Sequence, residues 1–423
     1  MHDLFSRDRE FVWHPFTQVA YAPDNIVVAR GEGAYFYDVD GKAYLDGISS
    51  WWVNLHGHCN PVIKEAIKRQ LDVLEHSIFA GFTHEPGVVL AENLLKLLPG
   101  FGKVFYSDNG STSVEVAIKM ALQYWFNNNQ PKKKVIAFSG AYHGDTFGGM
   151  SVAARNAFNK PFEPLLFDVV HIDIPDDENI DTVLRDLEVA LSNNDAACFI
   201  FEPLVLGAGG MLMYKPEHLD ALIALCQKYD CLTIADEVMT GFGRTGTLFA
   251  INQLALQPDI ICLSKGITGG FFPLGATVCK QFIFDAHVSS DKTKTFFHGH
   301  SYTGNPVVCA AAVASLGLTT SSSTTEKIAS ITAQHKQFAK RLKEFKNVQN
   351  VRQTGTILAM DILSAEQTGY LNSLSDVMAQ WFLDCQIILR PLGNVLYILP
   401  PYCITNEELN KIYDAIEQFL LTN

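Results

Sequence analysis

The stretch Leu232-Thr-Ile-Ala-Asp236-Glu237 is a short apolar run that ends in two acidic residues. Similar apolar runs occur at residues 135–138, 197–201, 260–263 and 276–279. Runs of this kind are typical of strands that are buried on both faces. Amphipathic stretches separate several of them, and within residues 219–229 Leu222, Ile223 and Cys226 share one helical face. This alternation predicts an α/β domain with a mostly parallel sheet.

The two ends of the chain predict a second, smaller domain. Residues 26–46 have the pattern of short strands with a turn at Asp40-Gly41. The Ser/Thr-rich residues 319–325 are typical of a seam between structural units. We predict an N-terminal part of the small domain, a large cofactor-binding α/β domain, and a C-terminal part of the small α+β domain, at residues 1–54, 55–318 and 319–423.

The C-terminal part has a pattern of its own. It predicts a long helix over residues 326–345 and strands near residues 356–360 and 395–399. The last helix is expected to begin at Thr405, because Glu408 stands at the spacing of a capping box.

The composition excludes several classes of protein. The chain has 423 residues, of which 48% are hydrophobic and 18% charged, and its formal net charge at pH 7 is -13. This hydrophobicity excludes a disordered chain, and the acidic balance argues against a nucleic-acid-binding protein. The nine cysteines include no Cys-x-x-Cys pair, and neither a signal peptide nor an apolar run of about 18 residues is visible. We therefore expect a cytoplasmic protein with reduced thiols, no membrane span and no nucleic-acid partner.

Asp236 and Lys265 follow two neighbouring apolar runs of the predicted sheet. Because the carboxyl ends of parallel strands line the ligand crevice, we expect the two side chains to face the same cavity. A lysine amine can form a Schiff base with pyridoxal phosphate, and a carboxylate can keep the pyridine nitrogen of that cofactor protonated. Taken singly, Lys265 could be a surface charge and Asp236 a helix cap or part of a loop salt bridge. Together they predict a pyridoxal-phosphate site.

A phosphate site is predicted where residues 107–109 lead into a helix. Gly110 and Ser111 open this helix. The free N–H groups and the dipole at a helix N-terminus bind anions. Thr112 and Glu115 have the spacing of a capping box, so an ordinary capped helix is the alternative interpretation.

Other side chains could complete a pocket. Tyr142 follows the apolar run at residues 135–138 and could stack on a planar ring, although a packed loop aromatic is the commoner outcome. Trp51-Trp52 could line an apolar substrate pocket or belong to the core. Arg390 follows the run at residues 387–389 and could bind a carboxylate through two hydrogen bonds, or remain a solvated charge.

The stretch Gly241-Phe-Gly243-Arg244-Thr-Gly246 matches the G-x-G-x-x-G pattern of dinucleotide-binding loops. In those loops the glycines follow a strand directly and open a helix. Here residues 236–240 intervene, and no acid stands at a strand end about 20 residues further on, so a nicotinamide site is disfavoured. We interpret Arg244 as a loop arginine that could pair with an acid or with a carboxylate substrate. The histidines lack the spacing of a zinc site, so no metal is expected.

These motifs resemble a known family. Residues 236–246 and 264–270, the helix start at Gly110-Ser111 and the loop Tyr142-His-Gly144 are similar to the class III aminotransferases. The resemblance runs from about residue 10 to the C-terminus. It implies a fold type I architecture, pyridoxal 5′-phosphate as cofactor, and an active site at the subunit interface of a homodimer.

Further motifs resemble one branch of this family. That branch aminates 8-amino-7-oxononanoate to 7,8-diaminononanoate in biotin synthesis, with S-adenosylmethionine as amino donor in a ping-pong reaction. The motifs that carry this closer resemblance lie at residues 13–17, 46–52, 141–146, 297–306, 390–391 and 399–402.

The resemblance implies roles for the residues nearest the cofactor. Lys265 would bind the cofactor covalently and move the proton in transamination. Asp236 would pair with the pyridine nitrogen, and Tyr142 would lie against the ring. Gly110 and Ser111 would hold the phosphate.

The resemblance also implies contributions from a neighbouring subunit and a substrate pocket. Ser301 of the neighbouring subunit would reach the phosphate, with His300 also at the cofactor. Arg390 would meet the carboxylate of the substrate. The wider substrate-binding set would be Phe16, Trp51, Tyr142, Arg244, Gly299 and Arg390.

Three positions differ from the S-adenosylmethionine-using branch. Phe16 stands in place of a tyrosine, His300-Ser301 in place of Pro-Thr, and Leu206 in place of a glutamine. The first two are similar to a branch that takes the amine from lysine, so lysine is the alternative donor. Another class III aminotransferase acting on an ω-amino acid is a further alternative. A cofactor-binding regulator without turnover is less favoured, because no basic recognition segment is present.

Overall fold

The computed structural model describes residues 2–422 and consists of strands and helices that alternate through the middle of the chain. The strands are β1 (Val28–Glu32), β2 (Tyr35–Asp38), β3 (Ala43–Asp46), β4 (Lys103–Ser107), β5 (Lys134–Phe138), β6 (Val169–Ile172), β7 (Ala196–Phe201), β8 (Val205–Leu206), β9 (Leu212–Met213), β10 (Leu232–Asp236), β11 (Ile260–Leu263), β12 (Gly275–Cys279), β13 (Val348–Thr354), β14 (Ile357–Ile362), β15 (Ile387–Ile388) and β16 (Val395–Ile398). The α-helical segments are α1 (His2–Phe11), α2 (Ser49–Trp52), α3 (Pro61–Leu71), α4 (Glu85–Leu97), α5 (Gly110–Asn127), α6 (Phe147–Val152), α7 (Ile180–Leu191), α8 (Pro216–Lys228), α9 (Gln281–Asp285), α10 (Pro306–Thr319), α11 (Ser322–Leu342), α12 (Leu374–Asp384) and α13 (Asn406–Thr422). Short 3₁₀ helices occupy Lys160–Leu165, Ala250–Gln253, Lys265–Thr268 and Lys292–Lys294.

The large sheet has seven strands in the order β4-β12-β11-β10-β7-β5-β6. Strand β10 runs parallel to both β7 and β11, and β5 runs parallel to β6 and β7. The mostly parallel sheet is thereby confirmed. The predicted strand at residues 276–279 is the exception, because β12 is antiparallel to both of its neighbours. Every residue of β7, β10 and β11 is buried, which explains their unbroken apolar character.

Helices cover this sheet through the apolar faces that the sequence indicates. In α8, Leu222, Ile223 and Cys226 are all buried, as predicted. In α5, Val114 and Trp125 are buried in the same cluster as residues of the central strands. The sheet is therefore packed on its faces, and its strand ends remain available for a site.

The two chain ends meet in one small sheet. The first three strands and β15 form a four-stranded sheet in the order β1-β2-β3-β15, and β15 is parallel to β3, so an N-terminal and a C-terminal segment share hydrogen bonds. A turn at Gly41, whose φ is 83°, connects β2 and β3 as predicted. The remaining C-terminal strands pair as β13-β14-β16. The domain boundaries at residues 54/55 and 318/319 stay a prediction.

The helix caps confirm one prediction and correct another. The Thr405 amide donates to Glu408, and the Glu408 amide donates to Thr405, so the predicted capping box is present. At α5 the predicted Thr112–Glu115 box is wrong. Asn109 is the cap, and its side chain accepts from the Thr112 amide at 2.9 Å. Glu115 instead accepts from the Gly148 amide at 2.7 Å, because the loop before α6 folds against it.

The Ser/Thr-rich stretch lies at the break between α10 and α11. Ser321 caps α11 by accepting from the Thr324 amide, so this helix begins earlier than the predicted residue 326.

Within residues 2–422 no single helix has the length and apolarity needed to cross a membrane. Helices α10 and α11, which meet at a bend, reach that length and apolarity only when they are taken together. Nor do the described side chains include a group of three or more His, Cys, Asp or Glu arranged to hold a metal.

Helix α7 allows a direct test of its packing. Leu187 is fully buried, whereas Val189 on the opposite face is 72% exposed. Leu187→Ala is expected to destabilise the protein by about 2–5 kcal/mol, because it leaves a cavity under the sheet. Val189→Ala, the matched control, should change stability by no more than about 0.5 kcal/mol. Denaturation followed by circular dichroism measures both, and equal losses for the two variants would contradict this packing.

Candidate active site

Lys265 and Asp236 lie at the same edge of the large sheet. Asp236 is the last residue of β10, Lys265 follows the end of β11, and these two strands are parallel neighbours. Both side chains line one cavity of about 530 Å³, which we call the inner cavity. The sequence prediction that they face the same cavity agrees with this placement.

Lys265 stands at a strained point of the chain, with a φ of 42°. Its Nζ lies 4.4 Å from the centre of the Trp52 ring. Burial lowers the pKa of Lys265 from 10.5 to about 8, and the negative charges of Asp236 and Glu202 oppose part of that shift. A lysine with this pKa is neutral much more often near pH 8 than a surface lysine, so it can act as a nucleophile and a base.

His143 holds Asp236 in place. Its Nδ1 lies 2.7 Å from one oxygen of the Asp236 carboxylate, and the other oxygen accepts from the Val238 amide at 3.0 Å. Both side chains are buried. The bond fixes the direction in which the carboxylate faces the cavity. The sequence interpretation missed this role, because adjacency to Tyr142 gives no sign that His143 pairs with a strand 93 residues further on.

The start of α5 forms a tight cradle in the wall of the cavity. Gly110, Ser111 and Gly144 all line it. A Cβ on Gly110 would lie 2.6 Å from Val238, and one on Gly144 would collide with Ser111, so neither position has room for a side chain. Backbone N–H groups at the start of an 18-residue helix favour an anion here. The cradle therefore fits the phosphate group of the expected cofactor.

Tyr142 and Glu202 form a further part of the wall. The Tyr142 amide donates to one Glu202 oxygen at 2.9 Å, and the Gly207 amide donates to the other at 2.8 Å. Burial raises the pKa of Glu202 to about 7. Tyr142 lines the cavity where its ring can contact a planar group. Glu202 is a second residue that the sequence interpretation did not place in the site, since only the fold brings its carboxylate beside Tyr142.

The tandem tryptophans stand on an unusual turn. Residues Ser49, Ser50, Trp51 and Trp52 all have positive φ values of 52°, 48°, 64° and 76°. A left-handed turn of this kind costs roughly 1–2 kcal/mol per residue. Such strain persists where surrounding contacts fix it, and it is common at functional sites.

Buried hydrogen bonds hold this turn. One Asp46 oxygen accepts from the amides of Ile48 and Ser50, at 3.2 and 3.0 Å, and the other lies 3.0 Å from His58. The Trp52 indole donates to the Tyr397 hydroxyl at 3.0 Å. As a result Trp51 and Trp52 both face the inner cavity.

Arg390 and Phe16 contact the same tryptophan. The Arg390 guanidinium lies 4.4 Å from the centre of the Trp51 ring, although Arg390 is not itself part of the cavity wall. Phe16 lines the cavity and meets Trp51 edge-on, with ring centres 5.4 Å apart. The predicted substrate residues Trp51, Phe16 and Arg390 are therefore brought together.

Arg244 lies close to the inner cavity but does not line it, and its assignment to substrate binding stays a prediction. It is buried outside the wall of the inner cavity, and it donates to the carbonyls of Pro400 at 2.9 Å and Trp52 at 3.3 Å. In this chain it supports the backbone of the tryptophan turn. Gly243 and Gly246 on either side have φ values of 102° and 96°, so this G-x-G-x-x-G match forms tight turns and does not open a helix.

Three predicted cofactor- and substrate-binding residues lie away from this chain's own cavity. Gly299, His300 and Ser301 are outside its wall, and Ser301 is exposed. The contribution of Ser301 to the active site of a second subunit, and the binding roles of Gly299 and His300, stay predictions.

Comparisons with known proteins define the class. The family model of aminotransferase class III matches residues 17–420, and the chain belongs to this family. It is a pyridoxal-phosphate-dependent aminotransferase of fold type I, as the resemblance implied. The residues of the inner cavity fit that cofactor, which would be held by Lys265, Asp236, Tyr142 and the cradle at Gly110-Ser111.

Particular relatives narrow this further. A Synechococcus elongatus protein named adenosylmethionine-8-amino-7-oxononanoate aminotransferase is 50% identical over 418 residues, covering 97% of this chain and 98% of that protein. A Staphylococcus aureus protein of the same name is 38% identical, with 97% and 95% covered. The crystal structure of the Methanocaldococcus jannaschii protein of that name has a TM-score of 0.93 at 35% identity and covers 99% of both chains. A pyridoxal-phosphate-bound amine transaminase from an uncultivated Pseudomonas species has a TM-score of 0.90 at 32% identity, with 96% and 97% covered.

The pKa of Lys265 can be measured directly. In the apoprotein, covalent binding of added pyridoxal phosphate requires a neutral amine, so its rate should rise with pH and level off just above the Lys265 pKa of about 8, not near 10.5. Asp236→Asn removes a negative charge that raises this pKa, so the midpoint should move to lower pH. Stopped-flow absorbance gives the rate, and Lys265→Ala is the control for non-specific reaction. A wild-type midpoint near pH 10 would contradict the lowered pKa of Lys265, and a midpoint at higher pH in Asp236→Asn would contradict the effect of the Asp236 charge on it.

Proposed function

We propose that this aminotransferase converts 8-amino-7-oxononanoate to 7,8-diaminononanoate in biotin synthesis, with S-adenosylmethionine as the amino donor. The observation that carries the proposal is the full-length similarity to relatives named for this reaction, at up to 50% identity. The apolar wall built from Phe16, Trp51 and Leu392 supports it, because it suits the long alkyl chain of the oxo-acid.

Lys265 is proposed to move the proton in both half-reactions. Bound pyridoxal phosphate supplies an electron-withdrawing ring that makes a proton on the adjacent substrate carbon acidic. The freed Lys265 amine takes that proton as a base and returns it as an acid, and its lowered pKa suits both roles. Asp236, oriented by His143, would hold positive charge at the pyridine nitrogen of the bound cofactor.

Arg390 is proposed to bind the carboxylate of the oxo-acid. Its guanidinium is stacked on Trp51, which lines the cavity, so its position is fixed relative to the apolar wall. A guanidinium can bind a carboxylate through two parallel hydrogen bonds. Lysine as donor remains the alternative, because Phe16 lacks the hydroxyl found in the S-adenosylmethionine-using branch.

A homodimer in the cytoplasm is part of the proposal. Ser301 and its neighbours would then contribute to the partner's site. The exposed rings of Phe297 and Tyr302 support a partner at this surface, since they are 72% and 67% exposed in the single chain.

The proposed reaction is tested by supplying the purified holoenzyme with the oxo-acid and either S-adenosylmethionine or lysine. Diamine formation, measured by mass spectrometry, is expected with S-adenosylmethionine. Lys265→Ala should abolish it and serves as the control for contaminating activity. Diamine formation with lysine but not with S-adenosylmethionine would reject S-adenosylmethionine as the donor. Rapid amination of a different keto acid, with no diamine from either donor, would reject the role in biotin synthesis.

Arg390→Ala is expected to raise the KM for the oxo-acid by roughly 10–100-fold, because a charge-assisted hydrogen bond contributes about 1.5–3 kcal/mol. The matched control is Arg341→Ala on α11, an arginine that is 49% exposed and pairs with Glu417. Steady-state kinetics at saturating donor give the KM values. An unchanged KM in Arg390→Ala would remove this residue from substrate binding.

A further inference from the structure

Trp52 is the tryptophan of the left-handed turn that faces Lys265. The Lys265 Nζ lies 4.4 Å from the centre of the indole ring, and both residues line the inner cavity. A cation above the face of an aromatic ring is attracted by the negative charge of that face, and tryptophan attracts cations in this way better than tyrosine or phenylalanine does. The contact therefore favours the ammonium form of the lysine over its neutral form.

Three contacts hold the indole of Trp52 in this position. Its N–H donates to the Tyr397 hydroxyl at 3.0 Å, and the two rings meet at an angle of 70°. The ring lies against Gly207, where an added Cβ would be 3.3 Å from the indole. The Arg244 guanidinium donates to the backbone carbonyl of Trp52 at 3.3 Å. The ring face that meets Lys265 is therefore fixed from its edge and from its backbone.

The contact lies in an enclosed part of the cavity. Trp52 is buried and Lys265 is half-buried. The attraction between a cation and a ring is stronger where water is excluded, because water competes for the charge. A lysine amine stands on a flexible four-carbon stem. One face of a fixed ring therefore gives this amine a preferred place when it is not covalently bound.

Trp52 acts on Lys265 differently from the ionisable groups nearby. The titratable and charged side chains that act on Lys265 or line the same cavity are Tyr142, His143, Asp145, Glu202, Asp236 and Arg244. Burial is the main cause that lowers the pKa of Lys265, the three carboxylates raise that pKa, and the guanidinium lowers it. The indole has no group that titrates, so its attraction for the ammonium is the same at every pH.

We propose that Trp52 is a positioning residue for Lys265, and that the face of its indole holds the ammonium form of the freed amine between the two proton transfers. The proton leaves the substrate carbon for the lone pair of the Lys265 Nζ, and it later leaves Nζ for the second carbon. An ammonium held over the ring stays inside the cavity during the interval. This inference rests on the proposed role of Lys265 in proton transfer, and it does not depend on which amino donor the enzyme uses.

The test weakens the ring face without changing the shape of the ring. Protein is produced with 5-fluorotryptophan or 5,7-difluorotryptophan in place of all five tryptophans. Each fluorine withdraws electron density from the ring face and so weakens its attraction for a cation. Trp52→Phe produced in the same way is the matched control, because fluorine then alters the other four tryptophans, including Trp51, but not the ring at position 52. Circular dichroism checks that each protein is folded.

The first readout is the pH midpoint for covalent binding of pyridoxal phosphate to the apoprotein. A weaker attraction for the ammonium lowers the pKa of Lys265, so the midpoint should fall stepwise with one and two fluorines, by about 0.4–1.5 pH units in total. In Trp52→Phe the midpoint should not change with fluorination. A ring that only excluded water from the lysine would give no dependence on fluorine in either protein.

The second readout is the half-reaction with S-adenosylmethionine in the holoenzyme, or with lysine if lysine is the active donor, followed by the absorbance of the cofactor. It is measured near pH 9.5, well above the Lys265 pKa of about 8, so that the rate reports the strength of the freed amine as a base. Two fluorines should lower the maximal rate about 2–5-fold. The donor concentration that gives half the maximal rate should stay within about twofold, because the shape of the pocket is kept.

The inference is overturned by a midpoint that stays constant or rises with fluorination, or by an equal dependence on fluorine in Trp52→Phe. A midpoint that falls while the rate near pH 9.5 is unchanged also overturns it, since the contact would then have no part in proton transfer. Failure of the proposed role of Lys265 is a separate result. In that case Lys265→Ala holoenzyme would still transfer the amine at the wild-type rate.

Discussion

The site depends on the parallel pairing of β10 with β11. This pairing brings Asp236 and Lys265 to one edge of the sheet, although 28 residues separate them in the chain. Every residue of both strands is buried, so their register is fixed by apolar packing on two faces. A shift by one residue would exchange the faces of each strand and remove one of the two groups from the cavity. Stability and chemistry therefore depend on the same register.

A second constraint is the left-handed turn at Ser49–Trp52. Its strain is balanced by buried bonds from Asp46, by the Tyr397 hydroxyl and by the guanidinium of Arg244. These partners come from both ends of the chain and from the loop after β10. The turn thus depends on the pairing of the small sheets, and it fixes the positions of two tryptophans. Trp52 lies beside Lys265, and Trp51 lies beside Arg390.

The sequence predicts those parts of the site that local patterns control. Apolar runs identify the strands, and Asp236 and Lys265 are identified as a pair because they stand at the ends of two neighbouring runs. Pairings between distant segments could not be predicted, since nothing in the local pattern links His143 to Asp236 or Glu202 to the Tyr142 amide. The contacts of Arg244 could not be predicted either. Its loop position suggested a substrate contact, whereas in the fold its guanidinium donates to the carbonyls of Trp52 and Pro400, which are distant in the chain.

Burial and charge act on Lys265 in opposite directions. Desolvation lowers its pKa, whereas the carboxylates of Asp236 and Glu202 raise it, and the balance lies at about 8. Asp236 therefore acts on this site in two ways, because the carboxylate that would pair with the pyridine nitrogen of the cofactor also limits how far burial lowers the pKa of the lysine. The bond from His143 fixes the position of that carboxylate, so the orientation of Asp236 and the basicity of Lys265 depend on the same buried contact.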